Sequence, residues 1–219
     1  MNYLKEVMED RRSIRRFLNK QVEWEKVVNL LHAGNSAPTE GNLQARKFIV
    51  TKDEGIISKI SKACYNQMWI NQASYVIVVV GEIKKSNKFY ERGEFYNTLS
   101  SGACVQNILL KAHSIGLGAC WVSAFEEEKI NDVLSIKSPN KPMAVIPIGY
   151  PAETPVKPKK EDLFDQTFIN SWGQKVHDLD LKYQNFRYLE RSLSIFEKIL
   201  NWLNNIPNYL KNFFNNFNK

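Results

Sequence analysis

Residues 75–81, "YVIVVVG", constrain this chain more than any other stretch. Six of the seven are β-branched or aromatic and none is polar enough to face water, which is the pattern of a strand covered on both faces. A second apolar run, "MAVIPIGY" at 143–150, reads the same way. Two fully buried strands need helices on both sides of their sheet. The intervening sequence supplies them. Amphipathic spacing predicts helices over 3–9, 24–33, 55–65, 98–114 and 126–136, with a further strand at "KFIVTK" and a short one at "GLGACWV". This alternation of strand and helix, taken alone, predicts a parallel βαβ sheet.

The chain has 219 residues, enough for one domain to bury a large core without a disulfide or metal staple. Cys64, Cys104 and Cys120 are widely spaced and form no C-x-x-C pair, so they read as small core residues; no metal site is expected. No apolar run reaches the length of a membrane span, and the N-terminus is charged where a signal peptide would be apolar, which predicts a cytoplasmic protein. The net charge of +7 asks for an acidic partner, yet the basic residues are dispersed and no basic-aromatic nucleic-acid motif occurs. A small phosphorylated ligand is the better match.

The densest charge is "DRRSIRRF", residues 10–17, with four arginines in six positions. Such forks repel one another unless solvent or an anion separates them, and a planar guanidinium grips phosphate by two parallel hydrogen bonds. A solvated basic face is the competing reading. The second stretch is "SAPTEGNLQARKF", residues 36–48, a loop running into a strand. If extended, it projects Asn42 and Gln44 to opposite sides, one toward a ligand and one bracing the loop. "GLG" at 116–118 lacks dinucleotide-binding spacing and reads as a helix-to-strand turn.

Together with "QNILLKAHSIGLGACW" and "IPIGYPAETP", these two stretches occur in an order that resembles the nitroreductase family of FMN-dependent oxidoreductases, over residues 5–163. The resemblance implies an α+β fold in which a mainly antiparallel central sheet is wrapped by helices, replacing the parallel expectation. It implies FMN as cofactor, NADH or NADPH as reductant, and a homodimer with the cofactor at its interface. Arg11, Arg12 and Ser13 would hold or flank the FMN phosphate, and Arg15 would approach the pyrimidine side of the flavin, leaving Arg16 to solvent. Asn42 and Gln44 match the ring-edge loop. Ala37, Pro38 and Thr39 would reach the cofactor from the partner subunit. Val122, Ser123 and Ala124 would set backbone donors near the reactive ring nitrogen, and Lys159 or Lys160 would be a second phosphate contact. Phe89, Tyr90, Phe95 and Tyr96 fall where relatives carry a lid that shapes substrate choice. The implied activity is hydride passage from NAD(P)H through FMN to a small flat acceptor (nitroaromatic, quinone or enone) in ping-pong fashion. The rival function is an FMN store or sensor without turnover.

Two departures stand out. Ala45 and Arg46 occupy positions where the family commonly has Pro-Trp. The chain also extends past the core. Residues 1–172 are expected to form the cofactor-binding domain and 173–219 a helical extension, with an apolar stripe over 182–203. That extension is expected to pack on the partner subunit; contact with a membrane surface is the lesser alternative.

Overall fold

The computed structural model describes residues 3–175 and divides the chain into two compact units, Met1–Lys157 and Pro158–Lys219. The predicted C-terminal arm lies outside the described residues. In the first unit the elements run α1 (Tyr3–Asp10), α2 (Trp24–Asn35), β1 (Arg46–Thr51), α3 (Glu54–Ala63), β2 (Tyr75–Gly81), α4 (Ile83–Ser86), α5 (Gly93–Ser114), β3 (Gly118–Ala119), α6 (Glu127–Leu134) and β4 (Lys141–Gly149). The described part of the second unit, residues 158–175, holds turns and one isolated antiparallel bridge between Phe168 and Lys175; the Phe168 and Trp172 rings meet at 4.8 Å.

The four strands form one sheet in the order β1-β2-β4-β3, and every neighbouring pair is antiparallel. The fold is α+β, and the parallel sheet expected from strand–helix alternation is overturned. The reason lies in the connections. After β1 the chain runs out along α3 and returns through a 3-10 turn, Met68–Gln72, packed against that helix. The excursion has two legs, so β2 enters from the end at which β1 left. Alternation counts elements, but it does not say whether a connection crosses the sheet or comes back.

Every residue of β2 is buried, as its composition requires. Its side chains alternate between two cores. Tyr75, Ile77 and Val79 face α2 and α5, joining Leu30, Cys104 and Ile108. Val76, Val78 and Val80 face α3 and α6, joining Ile57, Ile60 and Ile130. The three cysteines are free and buried, as read from their spacing.

The helix expected from Thr98 begins five residues earlier, at Gly93. Gly93 lies so close to the backbone of Ser86 and Asn87 that any Cβ would collide, and this contact lets α5 start directly beside α4. At its other end, Gly116 adopts φ +76° and the Leu117 N–H donates to Ala112 O at 2.8 Å, closing the helix. The "GLG" stretch is therefore the predicted helix-to-strand turn.

Candidate functional site

The arginine stretch is an added edge of the sheet. Ser13 bridges Ala119 in parallel, the Ile14 N–H donates to Ala119 O at 3.1 Å, and Phe17 bridges Pro151. Two glycines make room for it. A Cβ on Gly118 would stand 2.8 Å from Ile14 Cγ2, and one on Gly149 2.8 Å from Phe17 Cδ1. With Ile14 buried as an anchor, the alternate positions Arg11, Ser13 and Arg15 turn to the other side of the segment, which Phe17 closes at its far end.

That side converges on Cys120. Burial pushes its thiol pKa up, while the Arg15 charge, a hydrogen bond with Ser13 and the Arg11 charge oppose the rise. Arg15 also rests on the Trp69 ring, 6.0 Å from its centroid. Glu153 holds the backbone beneath: its Oε1 accepts from the N–H groups of Arg15 at 2.5 Å and Arg16 at 3.0 Å. Arg16 itself is exposed, as expected. Arg12 faces away. Its Nη1 donates to Glu9 O and Arg11 O, both at 2.7 Å, which ties α1 to the arginine strand.

Among the described residues, no ion pair joins any of the four arginines to a carboxylate. The Nε atoms of Arg11 and Arg12 are buried without a partner. Buried, unneutralised guanidinium donors are costly to leave unmet. Arg11, with Ser13 and the exposed Arg15 beside it, therefore offers donors that fit an external anion such as the FMN phosphate.

The loop after α2 departs from the extended form assumed above. Glu40–Asn42 is a 3-10 turn, and Gly41, Asn42 and Gln44 have φ of 46°, 55° and 51°. Asn tolerates this left-handed region; Gln adopts it at a cost of about 1 kcal/mol or more. The turn brings the two side chains together, Gln44 Nε2 donating to Asn42 Oδ1 at 3.4 Å, where an extended chain would part them. Thr39 braces the loop through its hydroxyl, which accepts from the Gln44 N–H at 3.1 Å. Ala37 is buried, whereas Pro38, Asn42 and Gln44 are exposed.

Of the three residues after Trp121, Val122 is committed to β4, exchanging both hydrogen bonds with Val145. The N–H groups of Ser123 and Ala124 donate to nothing among the described residues and are the available donors. Phe95 and Tyr96 stand on the first turn of α5 and not in a loop, with the Arg92 guanidinium 5.2 Å from each ring centroid. Phe89 and Tyr90 fall in the 3-10 turn Asn87–Arg92, and their side chains lie outside the described set. Lys159 and Lys160, both exposed, belong to the second unit.

The nitroreductase family profile matches residues 8–150. The chain belongs to the nitroreductase family. It is 31% identical over 171 residues to a Methanothermobacter thermautotrophicus protein assigned as an NADH dehydrogenase/NAD(P)H nitroreductase, covering 75% of this chain and 84% of that one. A Bacteroides thetaiotaomicron crystal structure with the same assignment superposes with a TM-score of 0.70 at 33% identity, over 78% of this chain and 99% of the other. A Desulfovibrio desulfuricans nitroreductase-type structure in complex with FMN gives 0.71 at 26% identity, over 78% and 99%.

Sequence reasoning missed Glu153, Trp69 and Cys120 as neighbours of the arginines. Glu153 lay in view within "YPAETP". Trp69 has no local signal, because only the return leg after α3 brings it beneath Arg15.

Proposed function

We propose that this nitroreductase-family member passes hydride from NAD(P)H, through bound FMN, to a small flat acceptor (a nitroaromatic, quinone or enone) by a ping-pong scheme, as a cytoplasmic homodimer. As a member of this family the chain is an FMN-dependent NAD(P)H oxidoreductase. The observation that carries the reading is Arg11, whose Nε is buried without a partner, beside Ser13 on a segment docked against the sheet and with no carboxylate paired to its arginines among the described residues.

FMN, when bound, supplies the hydride chemistry; the chain binds and orients it. Arg11 and Ser13 hold the phosphate. Arg15, kept in place by Trp69 and by the Glu153 grip on its backbone, brings positive charge toward the pyrimidine side, where it favours the anionic reduced form. Asn42 and Gln44 meet the ring edge, and Ser123 and Ala124 offer backbone donors. Ala37, Pro38 and Thr39 reach the cofactor of the partner subunit. Exposed apolar side chains support that assembly: Tyr3, Leu4 and Met8 on α1, and Phe95 and Leu99 on α5, each more than half exposed. Among the described residues no helix is long and apolar enough to cross a membrane.

The test is the visible spectrum of the purified protein, identification of ligand released on denaturation, and two-substrate kinetics. Flavin bands, released FMN, bleaching by NADH or NADPH and parallel double-reciprocal lines are expected. A colourless protein that does not take up added FMN refutes the reading.

A further inference from the structure

Arg46 is 6% exposed and has no carboxylate partner among the described residues. A buried guanidinium normally demands one. Here carbonyl oxygens take that part. Nη1 donates to Ser100 O at 2.9 Å and Pro38 O at 3.2 Å, and Nη2 to Ala37 O at 2.6 Å and Asn35 O at 3.4 Å. Asn35 is the last residue of α2, so the charge also faces the negative end of that helix.

A second buried polar group secures the same strand entrance. Asn97, fully buried and one turn before Ser100 on α5, donates from Nδ2 to Ala45 O at 2.6 Å and to Ser86 Oγ at 2.8 Å. Ser86 in turn donates to Glu40 Oε1 at 2.8 Å. α5 thus grips the 45–46 end of the loop from below, and Ser86 of α4 holds Glu40 at its middle.

The direction of the loop's carbonyls has a consequence for its other face. The Pro38–Thr39 peptide is trans, so with Pro38 O turned inward to Arg46 the Thr39 N–H points outward. That N–H donates to nothing among the described residues. We infer that Arg46 is a positioning residue for the cofactor site: by drawing the carbonyls of residues 35, 37 and 38 inward it presents the Thr39 N–H, beside the exposed Pro38, as a rigid shelf for the FMN of the partner subunit. The inference rests on the FMN reading and concerns the position where the family commonly has Trp. An aromatic ring there would fill space; a guanidinium fixes peptide planes.

The experiment measures FMN affinity of the full-length apo-protein by flavin fluorescence, well below each variant's melting temperature. Arg46→Met is expected to weaken FMN binding about tenfold or more, since several charge-assisted bonds that set the loop are lost. Arg46→Lys should recover part of the affinity, because an ammonium keeps the charge but cannot span the same carbonyls. At saturating FMN, kcat should return toward the wild-type value. Where R46M fails to fold, Arg46→Gln, with its smaller planar amide, replaces it. A folded R46M or R46Q with FMN affinity within about twofold of wild type overturns the role of Arg46 alone. Failure of the wild-type protein to bind FMN would instead remove the cofactor reading beneath it.

Discussion

Gly118→Ala tests whether the arginine strand is held by close packing on the sheet. The backbone at Gly118 is not in the left-handed region, so alanine meets no conformational penalty there. The cost is steric. The new methyl would lie 2.8, 2.9 and 3.0 Å from three atoms of Ile14. Ile14 is β-branched and buried, so it cannot rotate away. Relief requires moving the strand by several tenths of an ångström, and overpacking of this kind costs about 1–3 kcal/mol. The displaced strand carries Arg11, Ser13 and Arg15, so FMN affinity should fall with stability. Gly102→Ala is the matched control. Its methyl would sit 3.4 Å from the Trp121 ring, an ordinary contact, inside α5. Helix propensity there favours alanine by up to about 1 kcal/mol. Urea unfolding at fixed protein concentration, with FMN titration, reads both. Gly118→Ala as stable as wild type with unchanged FMN affinity would refute the packing argument.

Arg11→Met should weaken FMN binding by about 10- to 150-fold, the value of one charge-assisted hydrogen-bonding group at 1.5–3 kcal/mol, and flatten the salt dependence of binding in the same fluorescence titration. Burial pushes the thiol pKa of Cys64 to about 12 and of Cys104 to about 11. A thiol-reactive dye at pH 8 should therefore label neither in the native protein and both after denaturation. Because their unfolded thiols ionise near 9, the unfolded state binds fewer protons above that pH, so stability should decline from about pH 9 toward 12. Glu23 accepts from Tyr150 Oη at 2.7 Å, and this bond, followed by its own backbone and Lys26, lowers its pKa from 4.5 to about 2. Its contribution is present above 4.5 and lost as pH falls toward 2. Tyr150→Phe should flatten that part of the acid-unfolding curve, and an unchanged curve would show the bond to be without effect.

The two buried strands were legible because burial on both faces removes polar residues entirely, leaving a composition that no other element shares. The arginine cluster could be named as a candidate anion site because its residues are contiguous. Asn42 and Gln44 were named but misplaced. Their left-handed backbone comes from a turn braced by Thr39 and Ser86, the latter more than forty residues away and invisible to local spacing. Likewise, Phe95 and Tyr96 fell before the predicted start of the helix at Thr98, because the true start of α5 depends on the fit of Gly93 against Ser86.

The sequence by itself determined which residues must be buried, where most helices lie, and that four arginines and a serine stand together in one short run. These follow from local periodicity and from charges adjacent in the chain. Only the tertiary structure decided that the sheet is antiparallel, that Arg12 ties a helix end while Arg11 and Arg15 face Cys120, and that Arg46 sits beneath the loop at 35–39. Those outcomes depend on which segments return to the same edge of the sheet, and on hydrogen bonds between residues far apart in the chain.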